Sequence, residues 1–296
     1  FAVMMKGRGY NRRFLRGRDG KPEPKVYAIV ESNEINRNHL QFFGTHLSEM
    51  ERNLATMQIE GLLDTFKDAR EYGAILNVDA CDWDVLKRFV DDLGTNGQIS
   101  FESVGSEETQ EQLSKLVRVA KNLGQKYDAV VTNPPYMGRG NMSGKLSEFV
   151  KKNYSDSKSD LYAVFIEKSN KMLKKDGFQA MITQQTWMFI NSYAKLRENI
   201  YQSDIVNMAH LGARAFDEIG GEVVQTTSFL IRKSTIVGFI GTYIKLTDEN
   251  SQQKKEIAFL HPDRNVYMAD QRKFAYIEGA PCAYWLNSAT MQDFEN

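Results

Sequence analysis

The feature that most limits what this chain can fold into is a change of hydrophobic period at Tyr127. Between Asn33 and Lys126, apolar residues recur at three- and four-residue spacing. Leu47, Met50, Leu54 and Met57 form one stripe, and Leu62, Leu63 and Phe66 continue it. Val85, Leu86, Phe89, Val90 and Leu93 form the next, and Leu113, Leu116, Val117 and Ala120 the last. That spacing puts apolar side chains on one face of a helix. Gly94 and Gly124 fall where such helices stop. The stripes predict plain core. From Tyr127 onward the pattern becomes short apolar runs separated by amphipathic segments. "DAVVT" reads as a strand and "SDLYAVFIEKSNKMLKKDG" as a helix, with Ser159 or Asp160 as N-cap and Gly177 at its end. "FQAMIT" follows as a strand, "SYAKLRENIYQS" as a helix, and "IVNMAHLG" and "TTSFLIRK" as two more strands. This order predicts an α/β fold with a mostly parallel sheet and flanking helices. Upstream, "VYAIVE" (Val26 to Glu31) reads as a further buried strand.

Composition excludes little else. A chain of 296 residues with 42% hydrophobic residues can bury a sizeable core. Lys+Arg and Asp+Glu are both 38, so bulk charge gives no argument for nucleic acid or membrane. No apolar run reaches the roughly 18 residues of a membrane span. Cys81 and Cys282 are far apart, as in a reduced cytoplasmic chain, and the four histidines lack metal-ligand spacing, so no metal site is expected. The opening "FAVMMKGRGYNRRFLRG" starts inside an apolar run and reads as the end of a helix begun elsewhere. Its arginines, interleaved with Tyr10 and Phe14, suit either a solvated helix end or a loop that tracks phosphates.

Two of the six prolines stand side by side in "DAVVTNPPYMGRG". In open α/β sheets ligands sit beyond the carboxyl ends of the strands, and this tetrapeptide lies there. Pro134 and Pro135 stiffen the turn and lack N–H groups. Asn133 offers a side-chain carbonyl acceptor, and Tyr136 a flat ring with a polar tip. Two converging acceptors and a stacking ring suit an exocyclic amine on a planar base. Holding its two hydrogens localises a delocalised nitrogen lone pair and aims it at an electrophile, by positioning rather than covalent chemistry. A bare tight turn is the alternative. The tetrapeptide should occur by chance in on the order of one in a thousand chains of this length.

"NPPY" after an apolar strand resembles the catalytic motif of S-adenosylmethionine-dependent methyltransferases acting on adenine N6 in DNA. "SDLYAVFIEKSNKMLKKDGFQAMITQQTWMF" is similar to the helix and strand that follow in that family, and "LRENIYQSDIVNMAHLGARAFDEIGGEVVQTTSFLIRK" to its later motifs. "FAYIEGAPCAYWLN" resembles a segment of the large single-chain methylases of BREX and phage growth limitation systems, and "FAVMMKGRGYNRRF" their helix after the cofactor motifs. Together these cover roughly two-thirds of the chain. The family's Gly-rich cofactor loop is not found.

The resemblance implies a partial Rossmann-like methyltransferase sheet. It divides the chain into the end of a cofactor-side half (1–32), a helical insertion (33–126), a catalytic half (127–235) and a C-terminal extension toward a target-recognition domain (236–296). Asn133, Pro134, Pro135 and Tyr136 would be catalytic, Tyr136 and Phe216 would stack the base, and Arg139 and Lys145 would meet phosphates. Asp68 stands as a candidate contact to the cofactor's adenine beside an ordinary surface aspartate, and Asp160 is read as an N-cap before a ligand. The implied cofactor is S-adenosylmethionine, and the implied partners are double-stranded DNA and other defence-system proteins in a prokaryotic cytoplasm. A non-catalytic DNA-binding or scaffold piece, or a methylase of RNA or protein amide nitrogen, is the alternative.

Overall fold

A computed structural model describes residues 25–94, 104–216, 224–262, 265–286 and 290. The basic opening segment, with Tyr10 and Phe14, lies outside them. Among the described residues the core falls into two large clusters and a smaller one of Ile75, Met142, Leu146, Val150, Tyr154, Leu161 and Val164. The described residues up to 124 form a helical unit around α1 (Glu49–Thr65), α2 (Trp83–Asp91) and α3 (Ser106–Gly124). Ser48 opens α1 with a capping box: its hydroxyl accepts from the Glu51 N–H while Glu51 reaches back to the Ser48 backbone. Asp82 caps α2 by accepting from Val85 N–H. Val85, Leu86, Phe89 and Val90 of α2 and Leu113, Leu116, Val117 and Ala120 of α3 are buried together as the stripes predict.

Two expectations fail in this unit. The buried face of α1 is Ala55, Ile59, Leu62 and Leu63, whereas Met50 and Met57 are 85% and 63% exposed. One helix carries two apolar stripes, and only one meets a partner. The segment "VYAIVE" is not a strand: Val26 is 87% exposed, and residues 25–32 pair with no described strand. The segment is tied instead to the end of α1, where Ser32 N–H donates to Phe66 O at 3.1 Å and its hydroxyl to Leu63 O at 2.5 Å.

From residue 127 the chain builds a six-stranded sheet of β1 (Tyr127–Thr132), β2 (Leu173–Gln184), β3 (Asp204–Gly212), β4 (Thr226–Arg232), β5 (Gly241–Lys245) and β6 (Val266–Ala269), in the order β1-β2-β4-β3-β5-β6. Helices α4 (Gly144–Asn153), α5 (Leu161–Met172) and α6 (Ala194–Tyr201) precede or follow β2, and α7 (Gln252–Leu260) follows β5. The sheet is mixed rather than mostly parallel. β1 with β2 and β3 with β5 are parallel pairs, but β4 runs antiparallel to both neighbours and β6 to β5. The physical reason is the connection: no described helix lies between β3 and β4, so the chain turns back without the crossover that a parallel neighbour needs. Still, β1, β2, β3 and β5 point the same way, and their carboxyl ends share one edge.

Two boundaries also move. α5 ends at Met172, because Leu173–Gly177 already belongs to β2. At Gly177 a Cβ would lie 3.0 Å from Tyr127 O and 3.1 Å from Asp128 O, so glycine is what lets β1 and β2 approach there. The "GRGNMSGK" loop is shorter than its letters imply, since Ser143 caps α4 by accepting from Leu146 N–H and the helix starts at Gly144.

Candidate active site

Among the described residues β1 is an edge strand of the sheet, and it delivers Asn133–Tyr136 at the shared carboxyl edge. Pro134 is buried, while Asn133 and Pro135 are exposed and Tyr136 is half-buried. Among the described residues the Asn133 side chain has no hydrogen-bond partner. The turn is nevertheless fixed from behind. Leu161 N–H donates to Met137 O at 3.0 Å, Arg139 N–H to Ser159 O at 3.0 Å, and Gly138 bridges Asp160. The Asp160 carboxylate, 9% exposed, accepts from Met137 N–H at 3.0 Å and from Tyr162 N–H at 3.2 Å. Asp160 is therefore the N-cap of α5 and also the clamp on the motif's exit. Its burial raises the carboxyl pKa, against the backbone N–H groups that hold the charged form.

Tyr136 sets its ring edge-on to Tyr162 at 6.0 Å between centroids and 82° between planes. Burial, and then the nearby Asp160 carboxylate, raise the pKa of the Tyr136 phenol, so it stays a neutral donor. Behind it, the Tyr162 hydroxyl meets Thr186 Oγ1 at 2.6 Å and its ring leans on Tyr193 at 6.1 Å. Trp187 and Met188, fully buried, complete the wall at the end of β2. The segment 274–286 closes over it. Cys282 N–H donates to Met188 O at 2.8 Å, and the buried Arg197 guanidinium donates to Trp187 O (2.7 Å), Ile190 O (2.8 Å) and Ala280 O (3.0 Å), and also to Gly279 O.

The remaining sequence candidates separate. Phe216 is half-buried beyond the end of β3, on the same sheet edge as Tyr136, with β2 and β4 between their strands. Three interstrand steps amount to roughly 14 Å, so the strand ends alone do not bring the two rings to stacking distance. Arg139 is exposed on the turn after the motif. Lys145 lies in the first turn of α4 with its ammonium on Asp68 at 2.9 Å, so two candidates assigned to different ligands hold each other. Asp68 is further tied to Asn33, which donates to its carboxylate at 2.9 Å and accepts from its N–H at 2.8 Å. Its backbone is left-handed, with φ 55°. This carboxylate is engaged as a structural joint. A polar groove of about 1200 Å³ in the helical unit, bordered by Arg37, His39, Arg52 and Glu60, includes none of the motif residues.

Sequence reasoning missed His210, Gln185 and Tyr284. His210 Nε2 lies 2.6 Å from Gln185 Oε1, and its Nδ1 lies 2.8 Å from the Tyr284 hydroxyl. The available signal was phase: in "IVNMAHLG" the histidine shares the inward phase of Met208. A polar residue there needs partners.

The family model described as Eco57I restriction-modification methylase matches residues 40–216. An adenine-specific methyltransferase PglX from Lacticaseibacillus casei (strain Zhang) is 40% identical over 299 residues, covering 99% of this chain and 24% of its own. An adenine-specific methyltransferase BrxX from Escherichia coli O9:H4 (strain HS) is 38% identical over 238 residues, covering 78% of this chain and 19% of its own. The chain thus spans about a quarter or less of the length of these relatives. Among solved structures, a nuclease-deletion mutant of the Type ISP restriction-modification enzyme LlaGI in complex with a DNA substrate mimic aligns with a TM-score of 0.42 at 13% identity, over 65% of this chain and 21% of that one.

Proposed function

Since this chain belongs to the Eco57I restriction-modification methylase family, we propose that it is the target-base half of a DNA adenine-N6 methyltransferase serving phage defence or restriction-modification. The observation that carries the reading is the pinned turn. Its exposed Asn133 amide is unpartnered among the described residues, while residues 137–139 behind it are clamped to 159–161. A rigid frame around one free acceptor suits catalysis by positioning.

In this reading an adenine is flipped out of duplex DNA and lies on Tyr136. Asn133 Oδ1 and the Pro134 carbonyl accept the two N6 hydrogens and turn the nitrogen lone pair toward the methyl donor. Phe216 closes the pocket from the β3 side, which requires its loop to lean toward β1. Arg139 meets a backbone phosphate. Lys145 keeps that role only by exchanging Asp68 for a phosphate. S-adenosylmethionine supplies an electrophilic methyl group when bound. Asp68 does not fit as a contact to its adenine, because Asn33 and Lys145 already occupy the carboxylate. We assign the cofactor's main contacts to other parts of the parent protein. The open edge of β1 offers a place for a further strand. The divisions at 32/33, 126/127 and 235/236 belong to the same reading.

The test is Asn133→Ala in the full-length parent. Single-turnover methylation should fall by on the order of a hundredfold or more, as for loss of one preorganised polar contact, with DNA affinity nearly kept. A mutant as fast as wild type would remove Asn133 from the chemistry.

A further inference from the structure

We propose that Gln225, oriented by a relay of buried Tyr284, buried His210 and half-buried Gln185, donates a hydrogen bond to an acceptor atom of the DNA beside the target adenine. The inference rests on the methyltransferase reading above and adds a contact to it. His210 and Tyr284 are 6% and 1% exposed. The Gln185 carbonyl oxygen can only accept, so His210 Nε2 carries the proton and Nδ1 accepts from the Tyr284 hydroxyl. The Gln185 amide N–H then donates to Gln225 Oε1, and the two backbones join through Gln185 N–H to Gln225 O at 3.0 Å. Both amide oxygens are engaged. What remains is one N–H of half-buried Gln185 and the whole NH2 of Gln225, and Gln225 is the residue exposed to solvent.

The place matters as much as the chemistry. Gln185 follows the end of β2 and Gln225 precedes β4, so both stand on the edge that carries Asn133–Tyr136. Thr186, next to Gln185, bonds the hydroxyl of Tyr162, whose ring touches Tyr136. Phe189 packs on the His210 ring at 5.7 Å and Trp285 on Phe189 at 5.9 Å, keeping water off the imidazole. A largely buried phenol–imidazole–amide chain is harder to desolvate than apolar side chains of like size. What it provides is a fixed orientation for an amide that would otherwise rotate freely. A donor held in this way fits a phosphate oxygen or a base acceptor.

The experiment uses the full-length parent, target duplex DNA, and the variants Gln225→Ala, His210→Leu and the double mutant. Gln225→Ala should weaken duplex binding about fivefold to tenfold, with KM raised more than kcat is lowered. His210→Leu should lose a comparable factor where Gln225 is present and less than twofold where it is absent. Wild-type enzyme should show the same loss on one modified duplex. A methylphosphonate beside the target identifies a phosphate acceptor, and a 7-deaza purine identifies a ring nitrogen. The inference is overturned if Gln225→Ala binds within twofold of wild type, if His210→Leu loses equally in both backgrounds, or if neither modified duplex reproduces the loss. Because Gln225 is exposed, its variant stays informative even if His210→Leu folds poorly. A parent that binds the duplex but methylates no adenine sinks the enzyme reading and leaves the binding comparison intact.

Discussion

On one face of the sheet, Gln179, Met181, Thr183, Phe229, Ile231 and Tyr243 lie buried under α5, α6 and the segment 274–286. On the other, the register lines up Val131, Ala180, Leu230, Asn207, Thr242 and Met268 in a single row across all six strands. Val131 and Met268 in that row are 75% and 64% exposed, and Phe178 one row away is 39% exposed. Burial alternates residue by residue along β2 from Gly177, along β4 from Thr227 and along the first four residues of β5. Helix α7 reaches over only part of the second face, leaving a cavity of about 440 Å³ bordered by Ile182, Ala209, Leu246 and Phe259. Composition does not distinguish the faces, since both are rich in apolar side chains. Strands apolar on both phases are the mark of sheets covered on both sides. The described residues cover one side fully and the other only in part, through α7.

The comparison is tested first where it predicts the largest loss. Trp187 is fully buried on the covered side, with its ring edge-on to Phe229 at 5.5 Å and its Nε1–H on Thr183 Oγ1 at 3.2 Å. Trp187→Ala should cost about 3–5 kcal/mol of stability in denaturant unfolding of this chain. A loss below about 1 kcal/mol would mean the covered face is not the stabilising one.

Arg197→Met comes next. It removes the guanidinium from four carbonyls: Ile190 O keeps Tyr193 N–H and Ala280 O keeps the Tyr201 hydroxyl, while Trp187 O and Gly279 O lose their donor, the first of them in a buried place. Removing such partners should cost about 3–4 kcal/mol. The segment 274–286 should also become open to proteolysis before the sheet unfolds. Global unfolding without early cleavage there would show that other contacts hold the segment.

This side was only partly legible in the sequence. Apart from α4 (Gly144–Asn153), which was hidden behind a Gly-rich loop, the order of strands and helices from 127 to 232 could be read because each element is short, apolar and bounded by glycine or polar residues. Direction could not, because antiparallel β4 and parallel β2 present the same residue types. Cover could not be read either: "FQAMIT" puts Phe178, Ala180 and Ile182 on the open phase and Gln179, Met181 and Thr183 on the buried one, so its more polar phase is the one inside. Asn133–Tyr136 stood out because a stiff turn after a strand is a local signal. The relay did not, since Gln185, His210 and Tyr284 are far apart in sequence and become a unit only through the sheet. The engagement of Asp68 with Asn33 and Lys145 was illegible for the same reason, being entirely tertiary.

A third test uses pH. Burial first, and then the nearby Lys245 and Lys255, lower the His210 pKa to about 4, from the ordinary 6.5. In the unfolded chain the imidazole takes a proton below about 6.5, whereas in the folded chain it does so only near 4. The unfolded state therefore binds more protons in that window, and stability falls as pH drops from about 6.5 to about 4. At about 1.4 kcal/mol per pKa unit, the His210 share is up to about 3 kcal/mol. His210→Leu should flatten that part of the profile, measured as the difference between the two unfolding curves at each pH. Equal slopes would show that His210 is already charged in the fold.

The smallest effect is expected on the open face, and it is the one that most sharpens the contrast. Met268→Lys places a charge at the end of the exposed row, on edge strand β6. If that face is solvated in this chain, the ammonium stays in water and stability should change by no more than about 0.5 kcal/mol. Solubility should rise, because an exposed apolar side chain gives way to a charge. A loss above about 2 kcal/mol in the isolated chain would show that the face is covered after all and that the two sides are alike. The same substitution in the full-length parent separates two origins for the apolar composition. If another part of the parent lies on this face, Met268→Lys buries a charge there and the loss grows to several kcal/mol. If it stays near zero in the parent as well, the apolar row is solvated in both proteins, and its composition needs a cause other than burial.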